Sequence, residues 1–188
     1  KSGIIEPCAS LGELTEKQLQ ILKESGLTRY HHNIETSETF YPKIVTTHNF
    51  GDRIDMIKRL KKIGFQICSG GIIGLGETME DWIDMAFVLK ELDVDAIPLN
   101  ILFPIKGTPL ESAKSLNVNE IIKTIAAFRI ILENKIIKIA AGRESALADF
   151  QPLAFLAGAN GMLVGGYLTV AGRQVEEDMR MLEQLKLI

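Results

Sequence analysis

Cysteine is scarce in this sequence, whose 188 residues include only Cys8 and Cys68. Two cysteines so far apart exclude a disulfide-stapled scaffold and a Cys-x-x-Cys metal knuckle. Composition alone favours two buried thiols that pack as small hydrophobic groups. Cysteine use of this kind is typical of a reducing, cytoplasmic compartment.

Long apolar runs and excess basic charge are also missing. No apolar run reaches the roughly 20 residues that a membrane span needs, and the chain opens at Lys1 without the apolar region of a signal peptide. The formal net charge of −3 provides no basic field for nucleic acid. The sequence therefore predicts no membrane or nucleic-acid partner. Because the first residue is not Met, we also expect the chain to be part of a longer protein.

What the sequence does contain is a regular alternation of short apolar runs and amphipathic helical stretches. Hydrophobic residues make up 46% of the chain and charged residues 24%, which is typical of a globular domain. We expect one domain over residues 1–188. The predicted strands are Ile4–Cys8, Arg29–Glu35, Phe65–Ser69, Ala96–Phe103, Ile136–Ala140 and Met162–Gly165. The predicted helices are Thr15–Ser25, Asp52–Ile63, Met79–Leu92, Val118–Glu133, Ala146–Ala157 and Val175–Leu187.

Six strand–helix units in a row predict an α/β fold with a parallel sheet. A doubly wound six-stranded sheet fits this pattern. So does a (β/α)₈ TIM-type barrel, of which these would be the last six units. In the barrel reading, two further units would lie upstream of Lys1.

Polar residues cluster where the predicted strands end. Cys8 and Cys68 end two strands, Asn100 lies late in a third, and Arg143 follows a fourth. The active site of an α/β barrel lies at the carboxyl ends of its strands, so this regularity favours an enzyme. Each residue also has a structural interpretation, such as a rim hydrogen bond for Asn100 or a loop ion pair for Arg143 with Glu144.

Two further features lie at the same ends. His31 and His32 point to opposite faces of a regular strand, so at most one of them faces the barrel interior. The glycine-rich stretch 70–76 does not match the dinucleotide fingerprint Gly-x-Gly-x-x-Gly. Its glycines instead permit a close backbone approach to a ligand.

Taken together, several stretches resemble the biotin synthase family of radical S-adenosylmethionine (SAM) enzymes. The resemblance runs from about Glu6 to the end of the chain. Its motifs are Tyr30-His31-His32-Asn33-Ile34-Glu35-Thr36-Ser37, Cys68-Ser69-Gly70-Gly71-Ile72-Ile73-Gly74-Leu75-Gly76-Glu77-Thr78, Ile97-Pro98-Leu99-Asn100, Lys106-Gly107-Thr108-Pro109-Leu110, Ala141-Gly142-Arg143-Glu144 and Phe155-Leu156-Ala157-Gly158-Ala159-Asn160.

The resemblance implies conversion of dethiobiotin to biotin by radical sulfur insertion. A 4Fe-4S cluster on a Cys-x₃-Cys-x₂-Cys motif would cleave SAM to a 5′-deoxyadenosyl radical, and an auxiliary 2Fe-2S-type cluster would supply the sulfur. It also implies an electron donor such as flavodoxin or ferredoxin, and a homodimer.

Residue roles carried over from the resemblance fall into three groups. Cys8, Cys68 and Arg143 would be ligands of the auxiliary cluster. Glu35, Gly71 and Ile72 would bind SAM. His31, Asn33 and Asn100 would contact dethiobiotin, although many relatives have Asn where this chain has His31.

The sequence departs from the family pattern because the Cys-x₃-Cys-x₂-Cys motif is absent, as is a third cysteine for the auxiliary cluster. We therefore assign no catalytic residue and expect this chain alone to be inactive. The competing interpretations are another enzyme of the same branch, such as a hydrogenase maturase or methylornithine synthase, a phosphate-binding α/β enzyme that uses residues 70–76, and a cluster-free binding module.

Overall fold

The computed structural model describes residues 5–166 and 172–188, and its centre is a sheet of seven parallel strands. Ile4, where the first strand was predicted to begin, and Tyr167, after the last, lie outside the described residues. The strands are β1 Cys8–Ala9, β2 Arg29–His31, β3 Gln66–Cys68, β4 Gly71–Ile73, β5 Ala96–Ile101, β6 Ile136–Ile139 and β7 Gly161–Met162.

Helices connect the strands along the chain. They are α1 Glu16–Glu24, α2 Tyr41–Ile44, α3 Phe50–Ile63, α4 Met79–Glu91, α5 Val118–Leu132, α6 Arg143–Leu147, α7 Gln151–Leu156 and α8 Val175–Gln184, with a 3₁₀ turn at Ala148–Phe150. Among the residues with described positions, no helix is long and apolar enough to span a membrane.

Four helices, α1, α3, α4 and α5, begin at complete capping boxes. In each box the N-cap side chain accepts a hydrogen bond from the third helical N–H, and the third side chain accepts one from the N-cap N–H. The pairs are Thr15 with Gln18, Asn49 with Asp52, Thr78 with Asp81 and Asn117 with Glu120. The predicted start of α1 at Thr15 is confirmed, and α3 begins two residues before its predicted start at Asp52.

The strand order is β1-β2-β3-β5-β6-β7, with β4 also paired to β5. A doubly wound sheet reverses its order at a switch point. Here the strands instead follow one another across the sheet in chain order with no reversal, and β3 and β4 both pair with β5, as in an α/β barrel. The doubly wound interpretation is therefore wrong, and β1 and β7 form the two edges of the described sheet.

The two faces of the sheet differ in chemistry because side chains alternate along each strand. One face packs under the helices as a continuous apolar core, which includes Ile67, Ile97, Leu99, Ile137 and Ile139. The other face, here called the inner face, carries polar groups. The strand register places on it Cys8, Arg29, His31, Gln66, Cys68, Asn100 and Lys138.

Three local predictions are corrected by the structure. The predicted strands do not include the glycine-rich stretch 70–76, but Gly71–Ile73 is strand β4, hydrogen-bonded to β5. The loop after the second strand contains the short helix α2, which has a proline in its first turn. The helix predicted over Ala146–Ala157 is broken by a 3₁₀ turn, while the expectation that Pro152 marks a first helical turn is confirmed by α7.

The carboxyl-terminal helix α8 is held to α6 by a buried ion pair. Arg143, the first residue of α6, and Asp178 on α8 have fully buried side chains, and Arg143 Nη2 lies 2.5 Å from Asp178 Oδ2. The Nη1 atom donates to Gln151 Oε1 and to Asp178 Oδ1, and Nε donates to the carbonyl of Leu163 at 3.2 Å. The pair thus joins α8 to the start of α6, the helix that follows β6.

This pair leads to a stability prediction. Asp178→Ala leaves the Arg143 charge buried without its main partner, which should lower the free energy of unfolding by about 3–5 kcal/mol. Urea unfolding of the native protein would measure the loss. The control is Glu177→Ala on the same helix, whose exposed pair with Arg173 should contribute no more than about 0.5 kcal/mol. Equal losses in the two variants would contradict a buried anchor.

Candidate functional site

Cys8 and Cys68 meet on the inner face although 60 positions separate them. Cys8 begins β1 and Cys68 ends β3, and β2 lies between these two strands. A hydrogen bond between the two thiols lowers the pKa of Cys8 to about 7, with help from the charges of Arg29 and Lys138 and against the effect of burial. The same hydrogen bond and burial raise the pKa of Cys68. The pair therefore releases its first proton easily, as a metal-binding thiol must.

Lys138 is a member of this site that sequence reasoning missed. It lies in the middle of β6, where the register pairs it with Pro98 of β5. Its charge acts on Cys8, Cys68 and His31. A signal was present in the sequence, because a lysine interrupts an otherwise apolar strand, Ile136–Ile139.

His31 lies beside Cys68, and the two residues are register partners across β2 and β3. The Nδ1 atom of His31 is 3.5 Å from the sulfur of Cys68. Burial, with the charge of Lys138, lowers the pKa of His31. The imidazole is therefore neutral near pH 7.

His32 points away from the inner face, in agreement with the predicted alternation. Its side chain is buried, and its Nε2 atom has no hydrogen-bond partner among the described residues. Burial and the nearby Arg53 lower its pKa to about 4. His32 is therefore a structural residue of the packed face.

Glu35 stands above the cysteines on the backbone that continues β2. Its carbonyl accepts a hydrogen bond from the Ile72 N–H at 2.8 Å, and its φ of 70° is in the left-handed region. A strained non-glycine residue of this kind often marks a functional position. Burial raises the pKa of the Glu35 carboxyl, while Arg53 and Asn33 oppose the shift.

Gly71 and Ile72 form the other side of this contact. A Cβ atom on Gly71 would lie 2.3 Å from the Glu35 carbonyl oxygen and 2.5 Å from Met85 Sδ, so only glycine allows this approach. Ile72 pairs with Asn100, which places both on the inner face. Glu35, Gly71 and Ile72 therefore make one ledge at the carboxyl ends of β2 and β4.

Arg53 on α3 is a second residue that the sequence analysis did not single out. It donates from Nε to the hydroxyl of Tyr41 at 3.0 Å, and its Nη2 lies 2.7 Å from His48 Nε2. Its charge reaches both Glu35 and His32. No sequence pattern marks it, because it lies on a helix like other surface arginines.

Asn33 and Asn100 both hold backbone groups at the rim of the site. Asn33 Oδ1 accepts from the Gly70 N–H at 3.0 Å, and its Nδ2 is 3.5 Å from a Glu35 carboxylate oxygen. Asn100 donates to the carbonyl of Gly71 and accepts from the N–H of Ala141. The structural interpretation of Asn100 is thus correct, and a second role at a ligand stays a prediction.

Arg143 differs from the other predicted cluster ligands because its nitrogens contact α8 and α7. Its described partners are Asp178, Gln151, Glu144 and Leu163, and none is Cys8 or Cys68. The structure therefore brings Cys8, Cys68 and His31 together, whereas the ligand role of Arg143 stays a prediction.

The inner face fits an iron–sulfur cluster in its chemistry. Thiolates are the ligands that such clusters require, and the cations Arg29 and Lys138 would offset the negative charge of a cluster with its thiolates. Within residues 5–166 and 172–188, no three His, Cys, Asp or Glu side chains already form a metal-binding group. Two thiols of this chain would thus supply part of a ligand set.

Comparison with protein families gives two consecutive matches. Residues 4–89 match the Radical SAM superfamily, and residues 98–188 match the Biotin and Thiamin Synthesis associated domain. The first includes Cys8, Glu35 and Cys68, and the second includes Asn100 and Lys138.

Curated relatives of this chain are biotin synthases. The chain is 58% identical over 180 residues to the biotin synthase of Thermotoga neapolitana, covering 95% of this chain and 64% of the relative. It is 56% identical over 183 residues to that of Carboxydothermus hydrogenoformans, covering 97% of this chain and 56% of the relative. The chain therefore spans less than two thirds of the length of these relatives.

Solved structures confirm the fold. A methylornithine synthase superposes with a TM-score of 0.78 at 23% identity, over 95% of this chain and 57% of that chain. An FeFe-hydrogenase maturase from Carboxydothermus hydrogenoformans superposes with a TM-score of 0.77 at 18% identity, over 95% of this chain and 46% of that chain. At such identities only the fold is shared, and it confirms the predicted incomplete barrel.

The two family matches follow one another along the chain. The sequence identity to the two biotin synthases above is greater than one half, over at least 95% of the chain. The chain therefore belongs to the biotin synthase family of the radical SAM superfamily.

Proposed function

We propose that the protein containing this chain is a biotin synthase, which inserts sulfur into dethiobiotin to form biotin. The observation that carries the proposal is the meeting of Cys8 and Cys68 beside Arg29 and Lys138, directly below the ledge of Glu35, Gly71 and Ile72. The reaction needs a sulfur source and a SAM site close to each other inside one barrel.

Two bound groups would supply the difficult chemistry: a four-iron cluster with SAM for hydrogen abstraction, and an auxiliary cluster for sulfur. The Cys-x₃-Cys-x₂-Cys motif for the first is not among these 188 residues. We infer that this chain alone does not turn over. The reductant (flavodoxin or ferredoxin) and the homodimer belong to the same proposal.

At the auxiliary cluster, this chain would provide thiolates from Cys8 and Cys68. A guanidinium ligand from Arg143 would have to leave Asp178 and Gln151, its buried partners. With its present contacts Arg143 anchors α8, and its role as a cluster ligand stays part of the proposal. The positive charge beside the sulfur atoms is assigned to Lys138, which already acts on both thiols.

At the SAM site, the Glu35 carboxylate would accept hydrogen bonds from the two ribose hydroxyls. Gly71, which has no side chain, lets the backbone of Glu35 close on β4 and fixes this carboxylate at the ledge. Ile72 faces inward beside Asn100 and would pack along the adenine ring. These three residues would bind and orient the cofactor rather than transfer protons.

The substrate would lie between the ledge and the thiols, where amide side chains suit the ureido group of dethiobiotin. The Nδ2 atom of Asn33 lies 3.5 Å from the Glu35 carboxylate, which is a long hydrogen bond. This N–H group is therefore available to donate to the ureido oxygen. Asn100 retains one N–H and one lone pair beyond its two backbone bonds. The contact first expected for His31 is replaced by the role argued below.

A first test replaces Cys68 by alanine in the native protein. Loss of this ligand should abolish biotin formation and change the visible absorption of the auxiliary cluster, while 5′-deoxyadenosine is still released. The control is Ser69→Ala, because the buried Ser69 hydroxyl has no hydrogen-bond partner among the described residues. A normal biotin yield from Cys68→Ala would remove this residue from the ligand set.

A second test replaces Glu35 by glutamine, which keeps its size and removes its charge. Because a hydrogen bond to a charged group contributes about 1.5–3 kcal/mol, the KM for SAM should rise roughly 10- to 150-fold. The KM for dethiobiotin should stay unchanged. Glu38→Gln, an exposed residue of the same loop, serves as the control, and steady-state kinetics gives both constants. An unchanged KM for SAM would contradict the assigned role of Glu35.

A further inference from the structure

We propose that His31 donates a hydrogen bond to the sulfur of Cys68 and so acts as a positioning residue that sets the reduction potential of the auxiliary cluster. This inference rests on the proposed function, because it concerns the same cluster. It assigns His31 to the cluster rather than to dethiobiotin.

The strand register holds the two side chains together. His31 and Cys68 are direct partners in the parallel pairing of β2 with β3. The ladder continues beyond them, because the His32 N–H donates to the carbonyl of Cys68 at 3.0 Å. Backbone hydrogen bonds on both sides therefore fix the spacing that leaves His31 Nδ1 at 3.5 Å from the sulfur.

The surroundings favour a donor at this place. Cys68 is 5% exposed, so water cannot easily satisfy its sulfur. As a cluster ligand Cys68 would be a thiolate, and His31 supplies a nitrogen that reaches its sulfur among the described residues. An imidazole carries a proton on one of its two nitrogens, and the thiolate favours the tautomer with that proton on Nδ1.

A hydrogen bond to a ligating sulfur has a defined consequence. The donor dipole stabilises the more negative, reduced cluster more than the oxidised one, and the reduction potential rises. The contact would therefore make the auxiliary cluster easier to reduce than one whose Cys68 sulfur had no donor.

The test compares His31→Leu and His31→Gln in the reconstituted native protein. Loss of the donor in His31→Leu should change the reduction equilibrium of the auxiliary cluster about tenfold, a shift of about 59 mV to lower potential for one electron. His31→Gln retains an N–H donor, so its reduction potential should lie between those of the wild type and His31→Leu. Potentiometry followed by visible and electron paramagnetic resonance spectra gives the value.

A second measurement tests the hydrogen bond itself. In resonance Raman spectra, transfer to deuterium oxide should shift the Fe–S stretching bands of the wild-type cluster. The corresponding Cys68 bands of His31→Leu should not shift. The control is Gln66→Met, because Gln66 lies on the same face two residues before Cys68 and accepts hydrogen bonds from Arg29 rather than contacting the sulfur.

The outcomes separate this inference from the proposed function. Equal potentials and equal deuterium shifts in wild type and His31→Leu would overturn the role of His31 and leave the cluster assignment intact. A ¹⁵N coupling that shows His31 bound to iron would also overturn it, since His31 would then be a ligand. If wild-type protein binds no auxiliary cluster under conditions that load the other one, the proposed function itself fails.

Discussion

The candidate site depends on three places where glycine lets neighbouring backbones approach more closely than any side chain would permit. A Cβ atom on Gly70 would lie 2.1 Å from the Pro98 carbonyl oxygen, and one on Gly142 would lie 2.0 Å from the Ile101 carbonyl oxygen. At Gly71 the same constraint involves the carbonyl of Glu35. These contacts draw the ends of β2, β4, β5 and β6 together, and the functional side chains lie on the rim that results.

Because side chains alternate along each strand, the residues that stabilise the core and the residues of the candidate site lie on opposite faces of the sheet. The outward residues of the strands are almost completely buried beneath the helices, so the inward residues are free to be polar. The buried ion pair of Arg143 connects the helical layer with the inner face. Ala141, two residues before Arg143, donates its N–H to Asn100. The Asp178–Arg143 pair thereby supports the segment that orients the inner rim.

Much of this architecture could be predicted from sequence, because it is encoded locally. The capping pairs Thr15–Gln18 and Thr78–Asp81 and the left-handed Gly64 at the end of α3 are short-range signals. The strand β4 was missed because a glycine run has no strand propensity, and its pairing with β5 is a tertiary effect. The ion pair of Arg143 with Asp178 could not be foreseen, because no spacing rule connects residues 35 positions apart. Lys138 was overlooked since its importance depends on which face of β6 lies inward.

In the proposed reaction, the sulfur of the product comes from a cluster held by Cys8 and Cys68. The most direct measurement loads the native protein with ³⁴S-labelled sulfide, removes free sulfide and follows one turnover with dethiobiotin by mass spectrometry. If the cluster supplies the sulfur, the biotin formed should have a mass increased by two. Unlabelled biotin formed from a fully labelled cluster would contradict it.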